Sequence, residues 1–275
     1  MTRQSSGLSR TPWYVLTGGL ALIFLFPLLW AAIASVSPQG GTAQTFGYGL
    51  NNYQTLMNFG GGLVRTFSNS VFVSLLTVIL TLGVSIFGGY AFARFQFPGK
   101  NVLFLLTIAI LMVPYATLLI PLYVFLGGFG LKDSLIGVAL VLALFQLPFA
   151  TFMMRISFEA IPQELEESAL VDGAGSFAVL RRILLPAVVP GIVTVAIFAF
   201  LAAWNDFLAP LILINDTNKF PLPLAITVLR QQTMGVIDYG ATEAGVTVMA
   251  IPCIIIFIVL QRYYVRGFMS GALKG

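Results

Sequence analysis

Residues 69–93 read NSVFVSLLTVILTLGVSIFGGYAFA, a run of twenty-five residues without one charged side chain. In a helix, which rises about 1.5 Å per residue, such a run is longer than the roughly 30 Å of hydrocarbon in a bilayer. Backbone N–H and C=O groups find no water at that depth, so the run must form a helix that satisfies them internally. The stretch therefore predicts a membrane-spanning helix.

Five further apolar stretches of comparable length lie on either side of this run. The six predicted spans cover residues 13–35, 69–93, 102–126, 134–154, 187–214 and 245–263. Composition agrees, because 58% of the residues are hydrophobic and only 9% are charged, against about 25% charged in soluble domains. We predict an all-α integral membrane protein with six transmembrane helices in one bundle.

The distribution of Lys and Arg predicts the orientation of the spans. With the N-terminus inside, ten of the fourteen basic residues fall in cytoplasmic segments and four in outer ones. Cytoplasmic loops carry the excess of positive charge, so both termini are expected in the cytoplasm. The first span, preceded by Arg3 and Arg10, could also be a cleaved secretory signal. Its apolar run, Trp13 to Leu29, exceeds the usual core of about 7–15 residues in such signals, which favours a retained helix.

Several classes of protein are disfavoured by residues that the chain lacks. It has no histidine and one cysteine, Cys253, so a disulfide within the chain, a His/Cys metal site and a histidine-dependent hydrolase are excluded. No GxxxxGK[ST] loop is present, because Gly99-Lys100-Asn101 lacks both the loop and the hydroxyl. The net charge of +4 is scattered near span ends, so no nucleic-acid partner is expected. Any ATP that drives this protein must be hydrolysed by another chain.

The polar connection between the fourth and fifth spans, residues 155–185, carries an unusual share of the acidic residues. Five of the ten carboxylates of the chain lie between Glu159 and Asp172. Pro162 suits the first turn of a helix, and the carboxylates behind it favour the positive helix end. Gly173 permits a sharp turn after that helix. The pattern predicts a short helix along the inner membrane face; a solvated connector is the plain alternative.

The spacing in this connection is more specific than its composition. Residues 162–186 read PQELEESALVDGAGSFAVLRRILLP. Glu167-Ser168-Ala169, then Gly173, then Ile183-x-Leu185-Pro186 resembles the EAA–G–I-LP signature of ABC importer permeases, and Asp172-Gly173-Ala174 matches its longer form. Ser168 departs from the signature, which has alanine there, but a small residue should keep the packing.

The resemblance extends over about residues 10–275. Trp204-Asn205 looks like the Trp-Asn pair of carbohydrate-importer permeases, residues 91–100 are similar to their YAFAR–FPGK segment, and residues 267–275 are similar to their GL–GAVKG tail. The likeness is greatest to the smaller permease of maltose-type and trehalose-type importers, and it implies the type I ABC importer permease fold. The implied divisions are a cytoplasmic tail (1–12), a first helix with its outer loop (13–68), a permease core (69–263) containing the coupling segment (155–186), and a C-terminal tail (264–275).

The resemblance also implies a function. The chain would form half of the translocation path for a carbohydrate in a bacterial or archaeal inner membrane, as a non-catalytic subunit. Its partners would be a second homologous permease, a cytoplasmic ABC ATPase dimer that binds ATP and Mg²⁺, an extracytoplasmic solute-binding protein meeting residues 215–244, and membrane lipid. The residues implied in ATPase coupling are Glu166, Glu167, Ala169, Asp172, Gly173, Ala174 and Pro186. Glu167 would be the charged contact, the two alanines a packed small surface and Gly173 the turn. An ABC importer of another solute, such as glycerol-phosphate or an amino acid, remains the alternative.

One carboxylate, Asp206, lies well inside a predicted span. A charge at the bilayer centre costs about 2.5–3.5 kcal/mol on insertion scales, so it should face protein or a water-filled cavity. With Trp204 and Asn205 it could line a sugar path; the alternative is a polar clamp between helices that never meets substrate. An ion-coupled carrier is disfavoured, because such carriers generally need more intramembrane ionisable groups than this one.

Five prolines lie inside the predicted spans, where each removes a backbone hydrogen bond and can break or merely kink the helix. They are Pro114, Pro121, Pro190, Pro210 and Pro252.

Overall fold

The computed structural model describes residues 11–38, 48–232 and 238–272, and in these ranges the chain is helical with no β-strand. The helices in the first half are α1 (Thr11–Val36), α2 (Asn51–Asn58), α3 (Leu63–Arg94), α4 (Lys100–Ala109), α5 (Tyr115–Gly128) and α6 (Leu135–Glu159). Those in the second half are α7 (Gln163–Val171), α8 (Ser176–Val179), α9 (Leu185–Ala187), α10 (Val189–Asn205), α11 (Leu208–Leu213), α12 (Leu222–Gln232) and α13 (Tyr239–Ala272).

The described helices account for the predicted spans. Four are long and apolar enough to cross a membrane alone: Pro12–Val36, Leu63–Arg94, Leu135–Glu159 and Tyr239–Gln261. Two bent pairs, Lys100–Met112 with Tyr115–Gly128 and Ser176–Ala187 with Val189–Asn205, bring the number to six if each pair counts as one span. The all-α membrane fold predicted from the sequence is confirmed.

The third span is broken rather than straight, which corrects the single helix expected over residues 102–126. A 3₁₀ turn ends at Met112, the chain is extended at Val113 and Pro114, and α5 leaves at 104° to the preceding helix. Pro114 has no N–H to donate and disfavours helical geometry in the residue before it, so the break falls here. Pro121, by contrast, lies inside α5 without ending it.

The fifth span is also interrupted, although residues 187–214 were expected to form one helix. Helix α10 ends at Asn205, Asp206 is extended with φ −76° and ψ 128°, and α11 begins at Leu208. In a continuous helix the N–H of residue 210 would bond to the carbonyl of residue 206. Pro210 has no such N–H, and its ring would clash with that carbonyl.

Helix α3 packs closely along α6 and α10, and small side chains make this approach feasible. One face of α3 carries a row of buried hydroxyl residues, which are Thr66, Ser70, Ser74, Thr77, Thr81 and Ser85. Near the C-terminal end of α3, Gly89 meets the α6 backbone: a Cβ added there would lie 2.5 Å from Met154 Cβ and 2.9 Å from Arg155 N. The absence of a side chain at Gly89 therefore sets the distance between the two helices.

The chain divides into two compact units. One comprises the described parts of residues 60–225 and 252–275, and the other those of residues 1–59 and 226–251. In the second unit α2 is tied to the end of α1, because Asn52 Nδ2 donates to Ser35 O at 2.8 Å. Residues 1–10 and 273–275 of the predicted tails, and 39–47 of the first outer loop, lie outside the described ranges.

The outer segment expected as a polar loop over residues 215–244 contains more structure than that. A 3₁₀ turn at Thr217–Lys219 leads into α12, where Leu222 and Leu224 are fully buried, and α13 already begins at Tyr239. Residues 233–237 lie outside the described ranges. Among the described residues of this segment, 215–219 form a surface connection.

Candidate coupling segment and intramembrane cavity

Helix α7 forms where the acidic pattern predicted a short helix. Pro162 precedes it in an extended conformation, and Glu164 and Glu166 lie in its first turn. Carboxylates there interact favourably with the positive end of the helix dipole.

The end of α7 explains the spacing between the alanine and glycine of the signature. The N–H of Ala174 donates to Ala169 O, and the N–H of Gly173 donates to Leu170 O, both at 3.0 Å. These two bonds define a Schellman motif, in which the residue after the helix takes left-handed geometry. Gly173 has φ +86°, a conformation that side chains disfavour. Ala169, Gly173 and Ala174 are thus the parts of one helix cap.

The two alanines of this cap face the chain's own interior. Ala169 and Ala174 pack, partly buried, against a buried cluster that includes Met154 and Phe158 of α6 and Leu184. Small residues at both positions let α7 and the following turn lie flat against this core. Among the described residues, the two alanines that the resemblance implies as a packed small surface therefore contact the core of the same chain.

The opposite face of α7 is exposed and mixes charge with apolar surface. Glu167 and Asp172 are exposed, and their side chains make no hydrogen bond or ion pair within the described chain. Val171 is 87% exposed and Phe177 66%. The sequence analysis did not single out these two apolar residues, although their position on either side of the Asp-Gly-Ala turn was a usable signal. Pro186, further along the signature, is exposed after a π-helical turn over Leu180–Leu184.

Glu166 behaves differently from its neighbour Glu167, because it points into the protein. Its Oε2 lies 3.1 Å from Arg94 Nε, with the side chains only 13% and 6% exposed. Tyr90 Oη donates to Glu166 Oε1 at 2.8 Å. Arg94 Nη2 also donates to Ile161 O at 2.8 Å, just before α7 begins. Three contacts therefore fasten α7 and the residue before Pro162 to the C-terminal end of α3.

The three residues predicted to line a translocation path are not brought together. Trp204 is fully buried, stacked on Phe200 and edge-on to Phe67, each with ring centroids 5.5 Å apart. The exposed Asn205 side chain donates to Leu201 O of its own helix at 2.8 Å. Of the three residues, Asp206 borders the cavity described next. Within the described chain, Trp204 therefore packs against aromatic rings, and Asn205 caps the end of α10.

The cavity beside Asp206 has a volume of about 250 Å³ and lies among α5, α6 and α10. Tyr115 Oη donates to Asp206 Oδ2 at 2.9 Å, and the Ala209 N–H donates to Oδ1 at 2.8 Å. Asp206 thus clamps α5 to α11, the alternative left open by the sequence, while still bordering the cavity. Phe145 and Gln146 of α6 complete a mixed aromatic and polar wall.

Gln146 was missed by the sequence analysis, which searched the spans for charges only. It lies near the middle of α6, and its amide makes no hydrogen bond within the described chain. An amide in the centre of an apolar run was a visible signal, since polar groups at that depth are expensive unless they meet a partner.

Comparison with known proteins agrees with this architecture. Residues 84–270 match the family described as "Binding-protein-dependent transport system inner membrane component". The chain is 37% identical to the probable ABC transporter permease YurM of Bacillus subtilis over 78% of this chain and 71% of that protein. It is 33% identical to the trehalose transport permease SugB of Mycobacterium tuberculosis, over 96% and 98% of the two chains. It is 32% identical to the arabinooligosaccharide transport permease AraQ of Bacillus subtilis, over 93% and 92%.

A solved bacterial ABC transporter that imports the acidic polysaccharide alginate has the same fold. It superposes with a TM-score of 0.76 at 22% identity, covering 96% of this chain and 99% of that one. The resemblance to ABC importer permeases seen in the sequence is therefore confirmed. The chain belongs to the family of binding-protein-dependent transport system inner membrane components.

Proposed function

We propose that this chain is the permease subunit of an ABC importer for a carbohydrate and forms half of its translocation path. The observation that carries the proposal is the likeness, over nearly the whole chain, to permeases named for trehalose and arabinooligosaccharides. A relative in Streptomyces coelicolor, 30% identical over 92% of this chain, is named for diacetylchitobiose uptake. The named solutes are different carbohydrates, so the proposal is limited to the class.

Coupling to ATP hydrolysis is assigned to the outer face of α7. Its inner face is held to α3 and α6, which leaves Glu167, Val171 and Asp172 as a rigid surface of carboxylates around an apolar residue. An apolar centre with a charged rim is the usual make-up of a protein interface. In this proposal a separate ATPase binds that face and holds the ATP and Mg²⁺.

The cavity beside Asp206 is assigned to the path. Sugars present hydroxyl groups and apolar ring faces, and the wall offers the Gln146 amide, the Asp206 carboxylate and the Phe145 ring. Both Asp206 oxygens already accept one hydrogen bond, but each has a second lone pair. The Gln146 amide is the group with most hydrogen-bonding capacity left.

The remaining partners follow the architecture of this transporter class. One solved relative of the fold is an alginate transporter in complex with a periplasmic protein carrying an alginate pentasaccharide. We assign the corresponding contact here to the outer connection around residues 215–219. A second permease would complete the path, in the inner membrane of a bacterium or archaeon.

Reconstitution of the complete importer in proteoliposomes tests the proposal. ATP hydrolysis should be stimulated by a solute-binding protein loaded with an oligosaccharide or trehalose, and radiolabelled sugar should accumulate only with ATP present. Stimulation by glycerol phosphate or an amino acid but by no sugar would favour the alternative solute class. Uptake by this chain alone, without an ATPase, would overturn the proposal altogether.

A further inference from the structure

We infer that Glu166, held by Arg94 and Tyr90, anchors the coupling helix α7 to α3, and that this joint makes the cytoplasmic end of α3 follow α7 when the ATPase moves it. The inference deepens the proposed function and rests on it, since it takes α7 to be the helix that the ATPase displaces. It gives Glu166 a positioning role, separate from the docking role of Glu167.

The joint has two points of attachment on the α7 side. Arg94 binds the carbonyl of Ile161, ahead of the helix, and the carboxylate of Glu166, in its first turn. Tyr90 lies one helical turn before Arg94 on α3 and donates to the second oxygen of the same carboxylate. A hydrogen bond from Tyr90 and an ion pair with Arg94, one helical turn apart on α3, therefore hold one carboxylate and restrain both sliding and rotation of α7 against α3.

The surroundings of this joint leave it as the contact that prevents α7 from sliding along α3. The rest of the inner face consists of alanines against an apolar cluster, and apolar packing resists separation better than it resists sliding. An ion pair with low exposure is held to specific atoms, because either charge left alone would be buried without compensation. The contact between Arg94 Nε and Glu166 Oε2 is an ion pair and not an aligned hydrogen bond. The orientation of the two side chains is therefore set by the hydrogen bonds from Tyr90 to Glu166 and from Arg94 to Ile161.

Tyr90 also connects the joint to α6. Its ring packs edge-on against Phe158 of α6, with centroids 5.6 Å apart, and against Phe95 at 5.4 Å. Displacement of Glu166 is thus transmitted to α3 directly and to α6 through one buried ring. The cytoplasmic ends of both helices would respond to α7.

Adjacent carboxylates on α7 have separate environments for a geometric reason. Successive residues of an α-helix project about 100° apart, so Glu166 meets α3 while Glu167 meets solvent. One carboxylate is used within the chain, and the other is free for a partner. The two roles can therefore be separated by mutation.

Glu166→Gln in the reconstituted importer tests the joint, with Glu164→Gln as the matched control. Glu164 lies on the same helix turn but is exposed. Removing the charge from Glu166 should lower the number of sugar molecules taken up per ATP hydrolysed about tenfold, within the range of known coupling energies. The control should keep the wild-type ratio. Tyr90→Phe, which removes one hydrogen bond, should lower the ratio of sugar to ATP by less than Glu166→Gln does. The double variant Arg94→Glu with Glu166→Arg restores an ion pair and should recover part of the ratio lost in Glu166→Gln.

Either of two results from the reconstituted importer would overturn the inference. If Glu166→Gln releases the ATPase from the complex, the residue is a docking contact; if the ratio of sugar to ATP is unchanged, the joint transmits nothing. Hydrogen exchange of residues 163–171 in the permease gives a readout that does not need the assembled importer. Protection should fall in Glu166→Gln and not in Glu164→Gln, and equal protection would refute the anchor. If the wild-type importer shows no ATP-dependent sugar uptake, the proposed function fails, while the exchange result still decides whether Glu166 anchors α7.

Discussion

Replacing Gly89 with alanine should push α3 and α6 apart at their cytoplasmic ends. The added methyl group would lie 2.5 Å from Met154 Cβ and 2.9 Å from both Arg155 N and the carbonyl carbon of Met154. Two of these three atoms belong to the backbone of α6, so no side-chain rotation can relieve the overlap. The helices themselves must separate.

The magnitude follows from comparison with Gly83 on the same helix. A Cβ at Gly83 would meet nothing within 4 Å, so Gly83→Ala changes only the helix propensity, by about 1 kcal/mol in favour of folding. The same propensity gain applies at Gly89, so it cancels when the two variants are compared. What remains is overpacking, typically about 1–3 kcal/mol. Gly89→Ala should therefore be less stable than Gly83→Ala by that amount.

Denaturant unfolding of the purified permease in lipid nanodiscs would measure this difference. The wild type and both variants should be compared at one lipid composition and one protein concentration. If Gly89→Ala unfolds at the same midpoint as Gly83→Ala, then α3 and α6 do not approach as closely as described here. The packing that places Tyr90 beside Glu166 would then lose its basis.

Four further predictions concern single residues. Glu167→Lys should release the ATPase from the complex while membrane insertion stays normal, as measured by co-purification; retained ATP-coupled uptake would count against docking at Glu167. Gly173→Ala should destabilise the end of α7 by about 1–2 kcal/mol, because φ +86° strains any side chain although space is available; unchanged amide exchange there would contradict the cap. Asp206→Ala should alter transport kinetics while assembly persists, and normal kinetics would reduce Asp206 to its clamping role. Asp133 accepts hydrogen bonds from the N–H groups of Asn215 and Asp216 and pairs with Lys219 Nζ at 2.7 Å, so its carboxylate holds the outer connection in place. The Lys219 ammonium holds the pKa of Asp133 below its usual range, so order in the outer connection should be complete above about pH 4 and be lost as the pH falls through that lowered pKa. Amide protection, measured relative to the intrinsic exchange rate at each pH, that already falls between pH 7 and pH 5 would contradict this.

The sequence could predict what depends on local pattern. Six apolar runs indicated the spans, and the signature around Glu167 and Gly173 indicated a capped helix on the inner face, because caps and hydrophobic length are local properties. The breaks at Val113 and Asp206 were harder to predict. A proline inside a transmembrane helix is often tolerated, as Pro121 is in α5.

Contacts between distant parts of the chain could not be predicted in this way. Glu166 and Arg94 are far apart in sequence, and nothing in either pattern pairs them. The burial of Trp204 could not be predicted for the same reason, because it is decided by Phe67 and Phe200, which reach it only in the folded chain. Gln146 is a different case, since a polar amide in an apolar span is visible without any structure.

The sharp turn after Met112 has a consequence for what fills the space next to it. Where α4 and its 3₁₀ turn stop and α5 starts, the helical ladder is interrupted, and Ile110, Val113 and Tyr115 beside that interruption border the cavity that Asp206 also lines. Irregular backbone at bilayer depth persists only inside protein or against water, never against acyl chains. The break must therefore face protein or water, and acyl chains are excluded from the cavity beside it.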